Sequence, residues 1–109
     1  MNKFLAALAA LLMANTSVAQ DAHQELCRNM AAAAGAAVIQ AGPKGDLRKT
    51  KSYREVMSKT SPESRANMEK AVYRKAERYR ALGLESMELW DKYLADCMAT
   101  PSFQAWMSE

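Results

Sequence analysis

The segment Leu26–Pro43, with the sequence LCRNMAAAAGAAVIQAGP, decides the fold that we predict. Seven of its 18 residues are alanine, which has the highest helix propensity of all amino acids. Glycine and proline follow directly as a stop signal, at Gly42 and Pro43. The segment therefore predicts one long helix, from about Ala22 to Ala41, with little side-chain bulk on the face that a second helix would approach. That face carries a few larger apolar residues at helical spacing: Leu26, Met30 and Val38.

Each of the two cysteines, Cys27 and Cys97, falls on the inner face of a predicted helix. Cys27 lies near the start of the first helix and Cys97 near the end of the fourth, so antiparallel packing would bring them together. In an oxidising compartment, an isolated pair indicates one disulfide. Two free thiols or a metal-binding pair are the alternatives, but the spacing of the two cysteines is far from the C-x-x-C pattern of metal sites.

Start and stop signals predict three further helices and a short tail, over about residues 52–58, 61–82, 85–99 and 101–107. Residues 44–51 contain glycine and four basic residues, which predicts a loop. No alternating pattern or hairpin turn indicates a strand. The predicted fold is all-α: a small antiparallel bundle of about four helices, closed by one disulfide.

A helical wheel predicts which side chains of the two later long helices face the core. The third helix would bury Met68, Ala71, Val72, Tyr79 and Leu82, and the fourth Met87, Trp90, Leu94, Cys97 and Met98. Lys75 also falls on the inner face. A buried ammonium is costly when it has no partner. Either this side chain extends outward to solvent or an acidic residue such as Asp91 meets it.

The N-terminal residues have the pattern of a secretory signal peptide. Lys3 precedes the apolar run Phe4–Met13, and Ser17-Val18-Ala19 provides a cleavage site. Ten apolar residues are too few to span the roughly 30 Å hydrocarbon core of a bilayer, so we predict no transmembrane segment. We expect cleavage after Ala19, which leaves residues 20–109 as a single helical domain in the periplasm or outside the cell.

The charge of the chain is modest overall and uneven along its length. The net charge is +3, but residues 44–80 carry +7 and residues 81–109 carry −4. Three of the basic residues follow one another at intervals of four and form a stripe on the third helix: Lys70, Arg74 and Arg78. The wheel places Tyr73 on the same polar face. Exposed Tyr and Arg are typical of protein-interface anchors, so these four residues are the predicted partner-binding site, with an ordinary solvated face as the alternative.

The residues expected of an active site or metal centre are sparse. A single histidine, His23, excludes a multi-histidine metal site, and no catalytic or phosphate-binding motif is present. His23 precedes Cys27 by four residues, which is ligand spacing, but its place in the first turn favours a frayed or capping role. The acidic residues Glu85, Glu88 and Asp91 suit a helix N-terminus without any cation. The sequence therefore predicts a protein that is not an enzyme and has no cofactor or metal.

The leading hypothesis is a non-enzymatic interaction protein of the cell envelope, such as an inhibitor, an immunity factor or an accessory subunit. The first alternative is a periplasmic stress chaperone, because methionine-rich cores adapt easily. The second alternative is a carrier of metal or haem. Export and the low net charge argue against a nucleic-acid partner.

Overall fold

The computed structural model describes the backbone from Asn2 to Glu109 and the side chains from Gln20 onward. Within this part of the chain the fold is all-helical and contains no strand. The helices are α1 (Asn2–Ala41), α2 (Lys51–Lys59), α3 (residues 65–81), α4 (Ser86–Ala99) and α5 (Phe103–Ser108). In the same described part, no helix is both long enough and apolar enough to cross a membrane. The predicted signal peptide, residues 1–19, lies outside the residues whose side chains are described.

Two predicted helix ends are confirmed by backbone geometry. α1 ends at Ala41 and α3 at Ala81, and a glycine with positive φ follows each end, Gly42 at +72° and Gly83 at +87°. Only glycine adopts this conformation without strain, which explains why both helices stop there. α2 begins slightly earlier than predicted, because Thr50 caps it: the Thr50 hydroxyl accepts a hydrogen bond from the Tyr53 amide.

α1 and α4 pack against each other in antiparallel orientation along a seam of small side chains. At one end of the seam the Cys27 and Cys97 Sγ atoms lie 2.11 Å apart, which is disulfide distance. Further along, a Cβ on Gly35 would lie only 3.8 Å from the Trp90 Cβ. The predicted close approach of a second helix is confirmed, and α4 is the helix that approaches. The fully buried alanines on this side of α1 are Ala31, Ala34 and Ala37.

The segment that connects α1 and α2 is not the loop that the sequence predicted. Leu47–Lys49 form a 3₁₀ turn, and the Asp46 carboxylate accepts a hydrogen bond from the Arg48 amide at 3.0 Å. Leu47 is fully buried in the core. The prediction failed because it weighed the glycine and the basic residues above one leucine, which anchors the turn.

α3 is interrupted by a π-helical turn. Its three parts are Arg65–Met68, the π turn Glu69–Tyr73 and Arg74–Ala81. A π turn forms i→i+5 hydrogen bonds and leaves a neighbouring carbonyl open to other donors. The Ala71 carbonyl accepts hydrogen bonds from the Tyr93 hydroxyl of α4 and the Trp106 indole of α5. The turn therefore joins three helices through one backbone oxygen.

The wheel placed part of the inner face incorrectly. Leu82 and Met87, both predicted in the core, are 75% and 60% exposed. They flank the tight connection between α3 and α4, where Ser86 adopts a positive φ of 41° and reorients the start of α4. The fully buried residues of α4 are Leu89, Tyr93 and Cys97, while Trp90, Leu94 and Met98 are partly buried around them.

Candidate functional site

The basic stripe of α3 lies on the surface of the bundle. Lys70, Arg74 and Arg78 are all exposed. Lys70 and Arg74 form no ion pair with any residue of the described range 20–109. Arg78 donates one hydrogen bond, to the main-chain carbonyl of Glu109 at 2.6 Å. Lys70 and Arg74 are thus available to an external group, while Arg78 already has one partner within the chain.

Tyr73 does not belong to this surface, and its predicted exposure was wrong. The residue is fully buried, and its ring packs edge-on against Tyr53 with 4.6 Å between ring centroids. Burial raises the pKa of its hydroxyl above the ordinary value. The physical reason is the π turn, which ends at Tyr73 and changes the angle between successive side chains. A wheel drawn at 100° per residue therefore points Tyr73 in the wrong direction.

The acidic residues of α3 face Arg48 of the preceding turn. Arg48 forms ion pairs with Glu69 at 3.2 Å and with Glu77 at 2.6 Å. The hydrogen bond to Glu77 raises the pKa of the guanidinium, and the charge of Glu69 adds to this. Glu69 also accepts a hydrogen bond from the Tyr53 hydroxyl, which raises the pKa of that tyrosine. No sequence pattern predicts this cluster, because Arg48 lies in the segment that was predicted to be a loop.

This cluster binds the acidic side chains that could otherwise pair with the basic stripe. Glu69 and Glu77 are the acidic residues nearest in sequence to Lys70, Arg74 and Arg78, and their carboxylates are bound to Arg48 instead. Like charges at i,i+4 destabilise a helix by a few tenths of a kcal/mol per pair. The fold keeps this unfavourable arrangement on an exposed surface.

A cavity of about 460 Å³ lies beside the stripe, between α3, α4 and the C-terminal residues. Lys75 is only 5% exposed, and its Nζ lies 4.2 Å from the centroid of the Trp106 ring. The predicted inward position is confirmed, but both predicted ways of relieving the charge were wrong. The side chain does not extend to solvent, and Asp91 is exposed and forms no ion pair with it. The ammonium makes a cation–π contact instead. Burial lowers the pKa of Lys75, and the nearby charge of Arg78 lowers it further.

The third group of interest is at the disulfide end of the α1–α4 seam. The His23 Nε2 atom donates a hydrogen bond to the Cys97 carbonyl at 3.0 Å and lies 3.5 Å from the Cys27 Sγ. His23 is therefore neither frayed nor a helix cap. Within residues 20–109, these three side chains form the group whose ligand atoms are close enough to hold one metal ion, all within 4.8 Å of one another. The i,i+4 spacing of His23 and Cys27 was the sequence signal for this contact.

Comparison of the chain with protein-family profiles, curated proteins and solved structures gave no match.

Proposed function

We propose that this protein is a non-enzymatic interaction protein of the cell envelope that binds an acidic surface on a partner protein. The contact surface is the basic stripe of Lys70, Arg74 and Arg78. Residues 1–19 act as a cleaved signal peptide, so the bundle works in the periplasm or outside the cell. An inhibitor, an immunity factor or an accessory subunit would each use such a surface.

One observation carries this proposal: the carboxylates that could neutralise the stripe are bound elsewhere. Arg48 binds both Glu69 and Glu77, and Lys70 and Arg74 have no ionic partner in the described part of the chain. A solvated surface without a binding role would gain stability by pairing these charges along the helix. Exposed positive charge of this kind steers association with an acidic surface and selects against basic ones.

The test is crosslinking in intact cells, followed by affinity purification and quantitative mass spectrometry. The test variant carries Lys70→Glu and Arg74→Glu. The matched control carries Arg28→Glu and Lys44→Glu, which are exposed residues outside α3, so that the change in net charge is the same. We expect the stripe variant to recover an acidic partner about tenfold less well than the wild type, and the control to recover it equally well.

Two possible results with these variants would contradict the proposal. Equal recovery of the partner by the stripe variant and the wild type would contradict it. Equal loss in both variants would show that the effect depends on net charge and not on the stripe. Circular dichroism of both variants confirms that the helices are intact. The export part is tested separately: N-terminal sequencing of the protein released from the envelope should read from Gln20.

A second candidate, the stress chaperone, has one observation in its favour. Three large apolar side chains are exposed near the connection between α3 and α4: Ile39 at 64%, Leu82 at 75% and Met87 at 60%. Ile39 borders a cavity whose other wall includes Leu84 and Ser86. Exposed apolar surface of this kind can bind unfolded chains.

An aggregation assay distinguishes the two functions. A chaperone would suppress aggregation of a heat-unfolded client protein, and the double variant Leu82→Ser and Met87→Ser would lose that ability. The stripe variant would retain it. If the wild type does not suppress aggregation at neutral or acid pH, the chaperone candidate is wrong.

A further inference from the structure

The disulfide end of the bundle brings together side chains that suit a metal ion as well as a disulfide. Cys27 and Cys97 are fully buried, and His23 is half-buried beside them. His23 also lines a cavity of about 490 Å³. Once the disulfide is reduced, the three side chains offer two thiol sulfurs and one imidazole nitrogen. Such ligands select soft or borderline ions, Cu(I) and Zn²⁺ above others.

The distances fit a single ion once the disulfide is open. Zinc bonds of about 2.3 Å to sulfur and about 2.0 Å to nitrogen place neighbouring tetrahedral ligand atoms roughly 3.5–3.8 Å apart. The His23 Nε2 and Cys27 Sγ already lie 3.5 Å apart. The His23 Nε2 and the Cys97 Sγ lie within 4.8 Å of each other. Opening the disulfide lets the two sulfurs separate to the distance that a metal ion requires.

We propose that reduction of the Cys27–Cys97 disulfide turns this end of the bundle into a site for one thiophilic d¹⁰ ion, Zn²⁺ or Cu(I). The ligands are the two cysteine thiolates and the His23 Nε2. This inference goes beyond the proposed function and does not depend on it.

The reduction is an ordinary thiol–disulfide exchange with a dithiol reductant. A thiolate of the reductant attacks one cysteine sulfur, the S–S bond breaks, and a mixed disulfide forms. The second thiol of the reductant resolves it, which leaves two cysteine thiols and an oxidised reductant. The ion then displaces the two thiol protons. His23 releases its hydrogen bond to the Cys97 carbonyl and carries its ring proton on Nδ1.

The two states exclude each other, because the same sulfurs form either the disulfide or the metal bonds. Metal binding therefore traps the reduced protein, and oxidation expels the ion. Because the site joins α1 to α4, a bound ion also takes over the crosslink that the disulfide provides.

The experiment measures metal binding by the reduced and the oxidised protein under anaerobic conditions. The protein of residues 20–109 is reduced with dithiothreitol, desalted and titrated with Zn²⁺ or Cu(I) against a colorimetric chelator. We expect one ion per chain for the reduced protein and none for the oxidised protein. The Zn²⁺ and Cu(I) titrations show which ion is preferred, and tight binding of either supports the site.

Variants separate this site from adventitious binding. Cys27→Ser with Cys97→Ser should abolish binding, and His23→Ala, which removes the only histidine of the chain, should weaken it at least about tenfold. Met30→Ala is the control, since it removes a buried sulfur outside the group. Circular dichroism follows helicity throughout. The proposal is overturned if the reduced protein binds neither ion, if His23→Ala leaves affinity unchanged, or if helicity lost on reduction is not restored by the ion.

Discussion

The α1–α4 seam and the π turn of α3 hold the same bundle together by different means. The seam is regular: alanines and Gly35 allow two helices to approach closely, and Cys27–Cys97 fixes one end. The π turn is irregular: one backbone oxygen, that of Ala71, accepts the hydroxyl of Tyr93 and the indole of Trp106. Helical periodicity predicts the first kind of contact, and it fails at the second.

The difference shows how an irregular backbone changes which side chains reach the surface. In the seam, side chains remain where a wheel places them, so both cysteines meet as predicted. In α3, the π turn buries Tyr73 and leaves Lys70 and Arg74 exposed. Glu69 and Glu77 face Arg48. The π turn thus removes Tyr73 from the surface that carries the basic stripe.

The largest expected effect is the loss of the crosslink that closes the seam. Cys27→Ser with Cys97→Ser opens a loop whose ends are 70 residues apart in sequence. The chain-entropy model gives a loss of about 4 kcal/mol in the free energy of unfolding. Urea unfolding followed by circular dichroism measures it, and the reduced wild type should show the same loss. A loss below about 1 kcal/mol would mean that packing alone closes the seam.

Gly35 tests how closely the two helices of the seam approach. Gly35→Leu should destabilise the protein by about 2–3 kcal/mol, because its side chain would overlap Trp90. Gly35→Ala is the control: a Cβ there makes ordinary contact at 3.8 Å, so stability should rise by up to about 1 kcal/mol. Thermal unfolding of both variants measures the difference. Equal stability of the two would show that the seam has more room than the structure gives it.

The hydroxyls of Tyr93 and Tyr73 test the hydrogen bonding at the π turn, again through a pair of matched variants. Tyr93→Phe removes a buried donor to the Ala71 carbonyl and should cost about 1 kcal/mol. The Tyr73 hydroxyl is buried and has no hydrogen-bond partner among residues 20–109, so Tyr73→Phe should leave stability unchanged or raise it by up to about 1 kcal/mol. Chemical denaturation of both variants measures the contrast. A larger cost for Tyr73→Phe than for Tyr93→Phe would contradict the described geometry.

The smallest effect concerns Lys75, whose pKa is lowered by burial. Above its folded-state pKa and up to the ordinary value of 10.5, the unfolded chain binds more protons, so stability rises with pH. Lys75→Met should therefore be more stable than the wild type at neutral pH, by less than about 1 kcal/mol because the cation–π contact is also lost. The difference should shrink as pH rises towards 10.5. A difference that stays constant with pH would show that Lys75 does not titrate this way.

Sequence reasoning predicted the contacts that depend on regular helices and on strong local signals. Gly42 and Gly83 marked two helix ends, and the positions of Cys27 and Cys97 on their helices predicted the closed seam. It could not predict the π turn, since the residues Glu69–Tyr73 carry no local signature of i→i+5 bonding. Three errors follow from irregular backbone: Tyr73 was placed outside, and Leu82 and Met87 were placed inside.

For the candidate sites, the sequence could not predict contacts between side chains that are far apart in the chain. The spacing in sequence predicted the exposed stripe and the approach of His23 to Cys27. It could not show that Arg48, which lies in the connecting segment, binds Glu69 and Glu77. That contact depends on Leu47, which is fully buried and anchors the connecting segment in the core.

The most direct test of the basic stripe is site-specific photocrosslinking in living cells. A photoreactive amino acid replaces Arg74 in one variant and Arg28, which is exposed on α1, in the control. If the stripe binds a partner, illumination should give one discrete adduct from position 74 and none from position 28, and the adduct should weaken when Lys70 is also changed to Glu. No adduct at position 74, or the same adduct from both positions, would contradict the proposed binding surface.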